Sequence, residues 1–213
     1  MKLYQHLRSS ASYRVRIALA LKGLEYDSAI VDLLRGDQRS AGYARRNPAQ
    51  LVPLLEDGEA RIAQSMAIIE YLDELHPEPP LLPRGKAADR AWVRQLALAV
   101  ACEIHPLNNL RVIQHLGAAG FSEAQRSNWA RHWIAQGFAA LETELSASPR
   151  SGACCYGDQP TLADICLIPQ MLNATRVELD LEPYPTLRRI EQHCMGLDAF
   201  ARTHPAQLSA GPS

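Results

Sequence analysis

Ser9 and Ser10 follow a short apolar run at Leu3-Tyr4 and stand just ahead of a helix that the spacing predicts over 12–22. Hydroxyls at such a junction have two chemistries open to them. The first turn of a helix presents backbone N–H groups without helical partners, and the macrodipole adds partial positive charge there. A serine in that place donates to a bound thiolate or oxyanion, or it simply caps the helix. The two residues alone leave both readings open.

Other reactive side chains form no recognisable constellation. The five cysteines, Cys102, Cys154, Cys155, Cys166 and Cys194, are odd in number and lack C-x-x-C spacing. Neither a disulfide framework nor a zinc site is expected, and most read as small buried hydrophobes. Seven histidines are scattered without H-E-x-x-H spacing, so no metal is expected. Net charge is −1 at pH 7, which gives no bulk field to recruit nucleic acid or an anionic membrane. No apolar run approaches the roughly 20 residues of a membrane span, and the first residues lack the apolar core of a secretory signal. A soluble, cytoplasmic protein is expected.

The elements that must hold the serines can be read from the hydrophobic pattern. Strands are expected over 2–5 and 26–31, with a weak helix over 38–46 ended by Asn47-Pro48. Segments 51–55 and 61–63 flank Asp57-Gly58, a hairpin signal. Residues 65–75 carry apolar side chains at helical spacing. The strand–helix–strand start favours a parallel pair and the hairpin adds an antiparallel edge, giving a small α/β layer of thioredoxin type. The Pro-rich stretch from His76 to Pro83 reads as a linker. Beyond it strand signals almost vanish. One long or kinked helix is expected over 86–116, interrupted near His105-Pro106, then others over 122–145 and 185–194. Thr161-Leu162-Ala163-Asp164 is a capping box ahead of an apolar run. The tail from Pro205 reads as loose. The expected division is a domain over 1–80 and an all-helical domain over 86–213.

A thioredoxin-like domain followed by helices resembles the glutathione transferases. The motifs narrow the resemblance to the zeta class, which includes maleylacetoacetate and maleylpyruvate isomerases. They are the run from Ser9 to Leu19, Asn47-Pro48 with Val52-Pro53, and Gln64-Ser65 with the helix after it. Ile104-His105-Pro106-Leu107-Asn108-Asn109, the Thr161 box and Leu181-Glu182-Pro183-Tyr184-Pro185 complete the set. Their order and spacing cover nearly the whole chain. The class usually has cysteine after the serine pair, where this chain has Ala11, and tryptophan where it has Tyr13. No protein thiol is therefore available at that spot.

The resemblance implies glutathione as cofactor and a cis double bond between carbonyl and carboxylate groups as substrate. Addition of the glutathione thiolate turns the double bond into a single bond; rotation and elimination then give the trans product. A free thiol titrates near about 8.5, so little is ionised at pH 7. Lowering that by about two units takes roughly 2.7 kcal/mol. A helix N-terminus supplies about 0.3–2 kcal/mol and a hydrogen bond to a charged acceptor about 1.5–3 kcal/mol, enough without a histidine base. The resemblance assigns the catalytic role to Ser9, with Ser10 as second candidate. It gives glutathione binding to Ser9, Val52, Pro53 (as a cis-proline), Gln64 and Ser65, with His105, Asn108 and Asn109 at the expected cleft. Arg8 and Arg176 are the substrate cations. Arg14, Arg16 and Asp164 read as structural, the two arginines pairing with acids. The expected partners are a small dicarboxylate substrate and a second copy of the chain, with no nucleic acid and no membrane.

Two other functions are open to the same fold. A transferase that conjugates or dehalogenates electrophiles such as α-halo acids would share every binding residue. A non-enzymatic interaction module would be expected to lose the serine pair and Gln64-Ser65, which are present.

Overall fold

Strand β1 (Lys2–Gln5) lies inside a four-stranded sheet ordered β2-β1-β3-β4, with β2 at Asp27–Ile30, β3 at Leu54–Asp57 and β4 at Ala60–Ala63. The structure is a computed structural model and describes residues 1–208. β1 pairs parallel with β2 and antiparallel with β3, and β3 pairs antiparallel with β4 across Gly58, whose φ of +56° suits glycine. β3 starts at Leu54 rather than at residue 51, because Pro53 has no N–H for the ladder.

Helix α1 (Ser10–Leu21) joins the parallel strands, and α3 (Ser65–Leu75) packs against it. Leu3 faces Leu55 in the register and Tyr4 faces Leu54. Alternation sends these pairs to opposite sides. Tyr4 and Leu54 meet Val31 and Tyr43, the latter from α2 (Ala41–Arg46). Leu3, Leu55, Val15, Ile17, Leu19, Ile68 and Leu72 are fully buried. Each such side chain contributes about 1.5–3 kcal/mol. Buried Lys22 ends α1 and donates to Asp73 Oδ1 (2.5 Å) and to the carbonyls of His76 and Pro79 (2.6 Å each), fixing the chain where it leaves α3.

The chain divides into two compact units, residues 1–80 with the segment from Gly196, and residues 81–195. This departs from the expected 86–213 helical domain: α9 (Asp198–Ala201) and α10 (Pro205–Leu208) belong with the first unit. Tyr13 donates to the Phe200 carbonyl at 2.9 Å and Arg16 to that of Thr203 at 3.2 Å, which is why the segment packs there. Residues 205–208 are a helical turn rather than loose chain; the rest of the expected loose tail lies outside the described residues.

The second unit holds α4 (Ala87–Leu98), α5 (Leu110–Ala118), α6 (Glu123–Ala147), α7 (Leu162–Arg176) and α8 (Pro185–Met195). The helix expected over 86–116 is broken more thoroughly than its proline implied. A π-helical segment, Ala99–Ile104, and a 3-10 turn, His105–Asn108, separate α4 from α5. Ile104 packs against Gly137 on α6, where a Cβ would overlap Cγ1 and Cδ1 of the isoleucine. α7 is the most buried helix of this unit. Asp164 accepts from Cys155 N (2.8 Å), Thr161 N (2.8 Å) and Thr161 Oγ1 (2.9 Å), fixing the loop before α7 to its first turn. Glu142 of α6 accepts from the amides of Thr186 and Leu187, satisfying donors at the start of α8.

Candidate functional site

Ser9 is the N-cap of α1, in extended backbone, and its Oγ accepts from Ser12 N at 3.2 Å. A hydroxyl has one donor and two acceptor positions. Capping uses an acceptor and leaves the O–H free to donate, so the two readings of this serine are compatible. The first bond of the helix ladder runs from Tyr13 N to Ser9 O. The amides of Ser10 and Ala11 precede it and stand at the positive end of the dipole. Ser10 is buried in the first turn and Arg8 is exposed one residue ahead of the cap.

The segment before Ser9 is held from below. Arg16, fully buried, donates to Gln5 Oε1 (2.8 Å) and the Leu7 carbonyl (3.0 Å). These acceptors, with Thr203 O, are neutral oxygens. The guanidinium also lies over the Tyr13 ring, 5.3 Å from its centroid.

The Val52–Pro53 peptide is cis. Val52 lies ahead of the β3 ladder, which begins at Leu54, so the ladder does not use its backbone groups. Gln64, exposed, precedes α3 with φ +73° and ψ 121°, a costly conformation for a residue with a Cβ. Such strain persists where the surroundings enforce it, and it stands here beside Ser65, the buried first residue of α3. Arg14 Nη1 donates to Ser65 Oγ at 3.4 Å. Arg14 is 1% exposed, so a buried cation supports the start of α3. The sequence reading gave Arg14 a purely structural part. The contact spans 51 positions, and no local pattern signals it.

The other candidates lie in the helical unit. His105 and Asn108 form the 3-10 turn, both half-buried; Asn108 Nδ2 donates to the Ile104 carbonyl at 2.8 Å. Asn109 Oδ1 accepts from Arg111 N and caps α5, which commits that oxygen and leaves its amide NH2 for a ligand. Arg176 ends α7, exposed, with Nη1 donating to Asn173 Oδ1 at 3.3 Å. Asn108, Asn173 and Arg176 line one cavity of about 300 Å³, together with Arg126 and an apolar wall that includes Ile113 and Ile134. The sequence reading did not single out Arg126.

Among the buried thiols, Cys154 and Cys194 have ligand atoms within 4.8 Å of an Asp164 carboxylate oxygen. The carboxylate already accepts three hydrogen bonds. Burial pushes the Cys155 thiol well up, and the Cys154 contact and burial do the same for Cys194.

A mixed four-stranded sheet with a cis-proline before β3 and a capped serine at α1, followed by a helical unit, is the architecture of a glutathione transferase. Residues 1–74 match the family model for the glutathione S-transferase N-terminal domain. Maleylacetoacetate isomerase of Rhizobium meliloti (strain 1021) is 50% identical over 205 residues, covering 95% of each chain. Among solved structures, the holo form of maleyl pyruvate isomerase, a bacterial zeta-class glutathione S-transferase, has TM-score 0.96 at 44% identity, covering 100% of both chains. Maleylacetoacetate isomerase of Anaeromyxobacter dehalogenans 2CP-1, solved with dicarboxyethyl glutathione and citrate in its active site, has TM-score 0.87 at 44% identity, covering 100% of this chain and 97% of that one. The chain belongs to the zeta class of glutathione transferases, the family of the maleylacetoacetate and maleylpyruvate isomerases.

Proposed function

We propose that the protein is a glutathione-dependent cis–trans isomerase of maleylacetoacetate or maleylpyruvate in the breakdown of tyrosine or another aromatic compound. The observation that carries this reading is the Ser9 cap, whose hydroxyl keeps its proton available at a helix N-terminus. The residues fit glutathione: a free hydroxyl, amides ahead of the α1 ladder, a backbone segment at Val52 outside β3, and a helix start at Ser65 backed by a buried guanidinium. When bound, glutathione supplies a thiolate that adds reversibly to the substrate double bond, permits rotation, and departs unchanged.

The Ser9 O–H donates to the sulfur and the amides of Ser10 and Ala11 contribute their dipoles, which keeps the thiol ionised near neutral pH. The backbone at Val52-Pro53 holds the cysteinyl part of the cofactor. Gln64 and Ser65 receive the γ-glutamyl carboxylate at the α3 N-terminus. Arg176 and Arg8 are assigned to substrate carboxylates, and His105, Asn108 and Asn109 to polar contacts with the ligands. The adduct-like ligand in the Anaeromyxobacter relative, a dicarboxylate joined to glutathione, supports thiolate addition. We also read the protein as a cytoplasmic homodimer, with glutathione bound by residues 1–80 and substrate by the helices between residues 86 and 195.

The test is turnover of both cis substrates by purified protein with glutathione, following product and free thiol together. Isomerisation forms trans product at constant thiol. Stoichiometric loss of thiol would favour the conjugating or dehalogenating transferase, and no turnover of either substrate would overturn the isomerase reading. Sedimentation at micromolar concentration tests the dimer.

A further inference from the structure

Arg126 lies in the second turn of α6, half-buried, and its guanidinium crosses α5 at Gly117. A Cβ at Gly117 would stand 3.0 Å from Arg126 Nη1, 3.4 Å from Cζ and 3.5 Å from Cδ, tighter than an ordinary contact at its nearest atom. Glycine at this position leaves room for that path; an alanine would make the guanidinium give by a few tenths of an ångström. Arg126 Nε is shielded from solvent and has no hydrogen-bond acceptor among the described residues. A ligand in solvent-reached space does not meet that Nε, so a carboxylate would meet the guanidinium at its Nη atoms.

The ligand space beside it is the cavity of about 300 Å³ in the helical unit. Its charged lining consists of Arg126, Arg176 and Glu123, and Asn108, Asn173 and Ser127 add polar atoms. Two guanidiniums against one carboxylate leave the cavity net positive. The volume accommodates a small organic acid, and a guanidinium fork suits a carboxylate in bidentate geometry.

We propose that Arg126 is a carboxylate-binding, specificity-determining residue, which with Arg176 makes this cavity a receptor for one carboxylate of a small dicarboxylate. The assignment rests on the isomerase reading for the identity of the substrate, but not for the binding itself. Asn173 holds Arg176 in place, and Gly117 holds open the path of Arg126.

The experiment compares the wild-type protein with Arg126→Gln, Arg126→Lys and Gly117→Ala. Steady-state kinetics are measured at saturating glutathione, and succinate is titrated into the glutathione-free protein by calorimetry. Arg126→Gln is expected to raise KM for the cis substrate and to weaken succinate binding, each about 10–100-fold. kcat should change less than about threefold and KM for glutathione should stay put. Lysine should restore part of the loss. Gly117→Ala, which keeps the charge and shifts it by a few tenths of an ångström, should raise KM only slightly; Arg126→Lys decides the matter if Arg126→Gln does not fold. Unchanged KM and unchanged succinate affinity in the folded variants would overturn the assignment. Should the wild type turn over neither cis substrate while succinate binding still depends on Arg126, the isomerase reading fails and the carboxylate site stands.

Discussion

On the proposed mechanism Ser9 has two tasks for one oxygen, and two separate readouts tell them apart. Ser9→Ala removes the acceptor for Ser12 N and the donor to the sulfur together. The lost cap costs about 1 kcal/mol of stability. The lost charge-assisted bond, about 1.5–3 kcal/mol, should raise the pKa of bound glutathione by about one to two units and lower kcat/KM about 10–150-fold at pH 7. Thiolate absorbance of the binary complex followed against pH reads the first effect directly. Ser10→Ala, one position into the helix and away from the cap, should shift that titration far less; a larger shift there would transfer the role to Ser10. At the far end of the cofactor, Ser65→Ala should raise KM for glutathione about 10-fold with little change in kcat, because it removes a binding contact made equally in ground and transition states.

At the scale of elements, the capping box of α7 shows how much one carboxylate organises. Asp164→Ala leaves three buried donors without an acceptor: Cys155 N, Thr161 N and Thr161 Oγ1. Each costs about 1–3 kcal/mol, so urea denaturation should show a loss of at least about 3 kcal/mol. The box was legible because both of its halves lie within four residues. So were β1, α3 and the Asp57-Gly58 hairpin, whose periodicity and turn chemistry are local. The interruption before α5 was legible only as a proline. Its π-helical turn ends at Ile104, which packs against Gly137, a pairing no local pattern encodes. The site divides in the same way. The serine pair and Gln64-Ser65 show in sequence as helix starts, whereas Arg14 beneath Ser65 and Arg126 over Gly117 are pairings of residues distant along the chain or on separate helices. Among nineteen arginines in the sequence, residue type alone does not pick these two out.

Across the whole molecule, both compact units bury acidic protons, and this sets a limit at high pH. In the first unit, burial pushes the Tyr43 phenol up to about 12, and its O–H donates to the Leu51 carbonyl at 2.6 Å. In the second, burial raises the Cys155 thiol, and the contact with Cys154 together with burial raises Cys194. Unfolding exposes all three groups, which then titrate at ordinary values of about 8.5 for thiols and about 10 for the phenol. Above those values the unfolded chain has released protons that the folded chain still holds, so stability falls as pH rises. The loss begins near pH 8.5 with the thiols and deepens above pH 10 with Tyr43. Urea midpoints measured from pH 7 to 11 should decline accordingly. Cys155→Ala with Cys194→Ala, whatever they cost at pH 7, should lessen the decline from about pH 8.5 upward, while Tyr43→Phe should lessen it above about pH 10 only. A decline unaltered by these substitutions would mean that other buried groups set the alkaline limit.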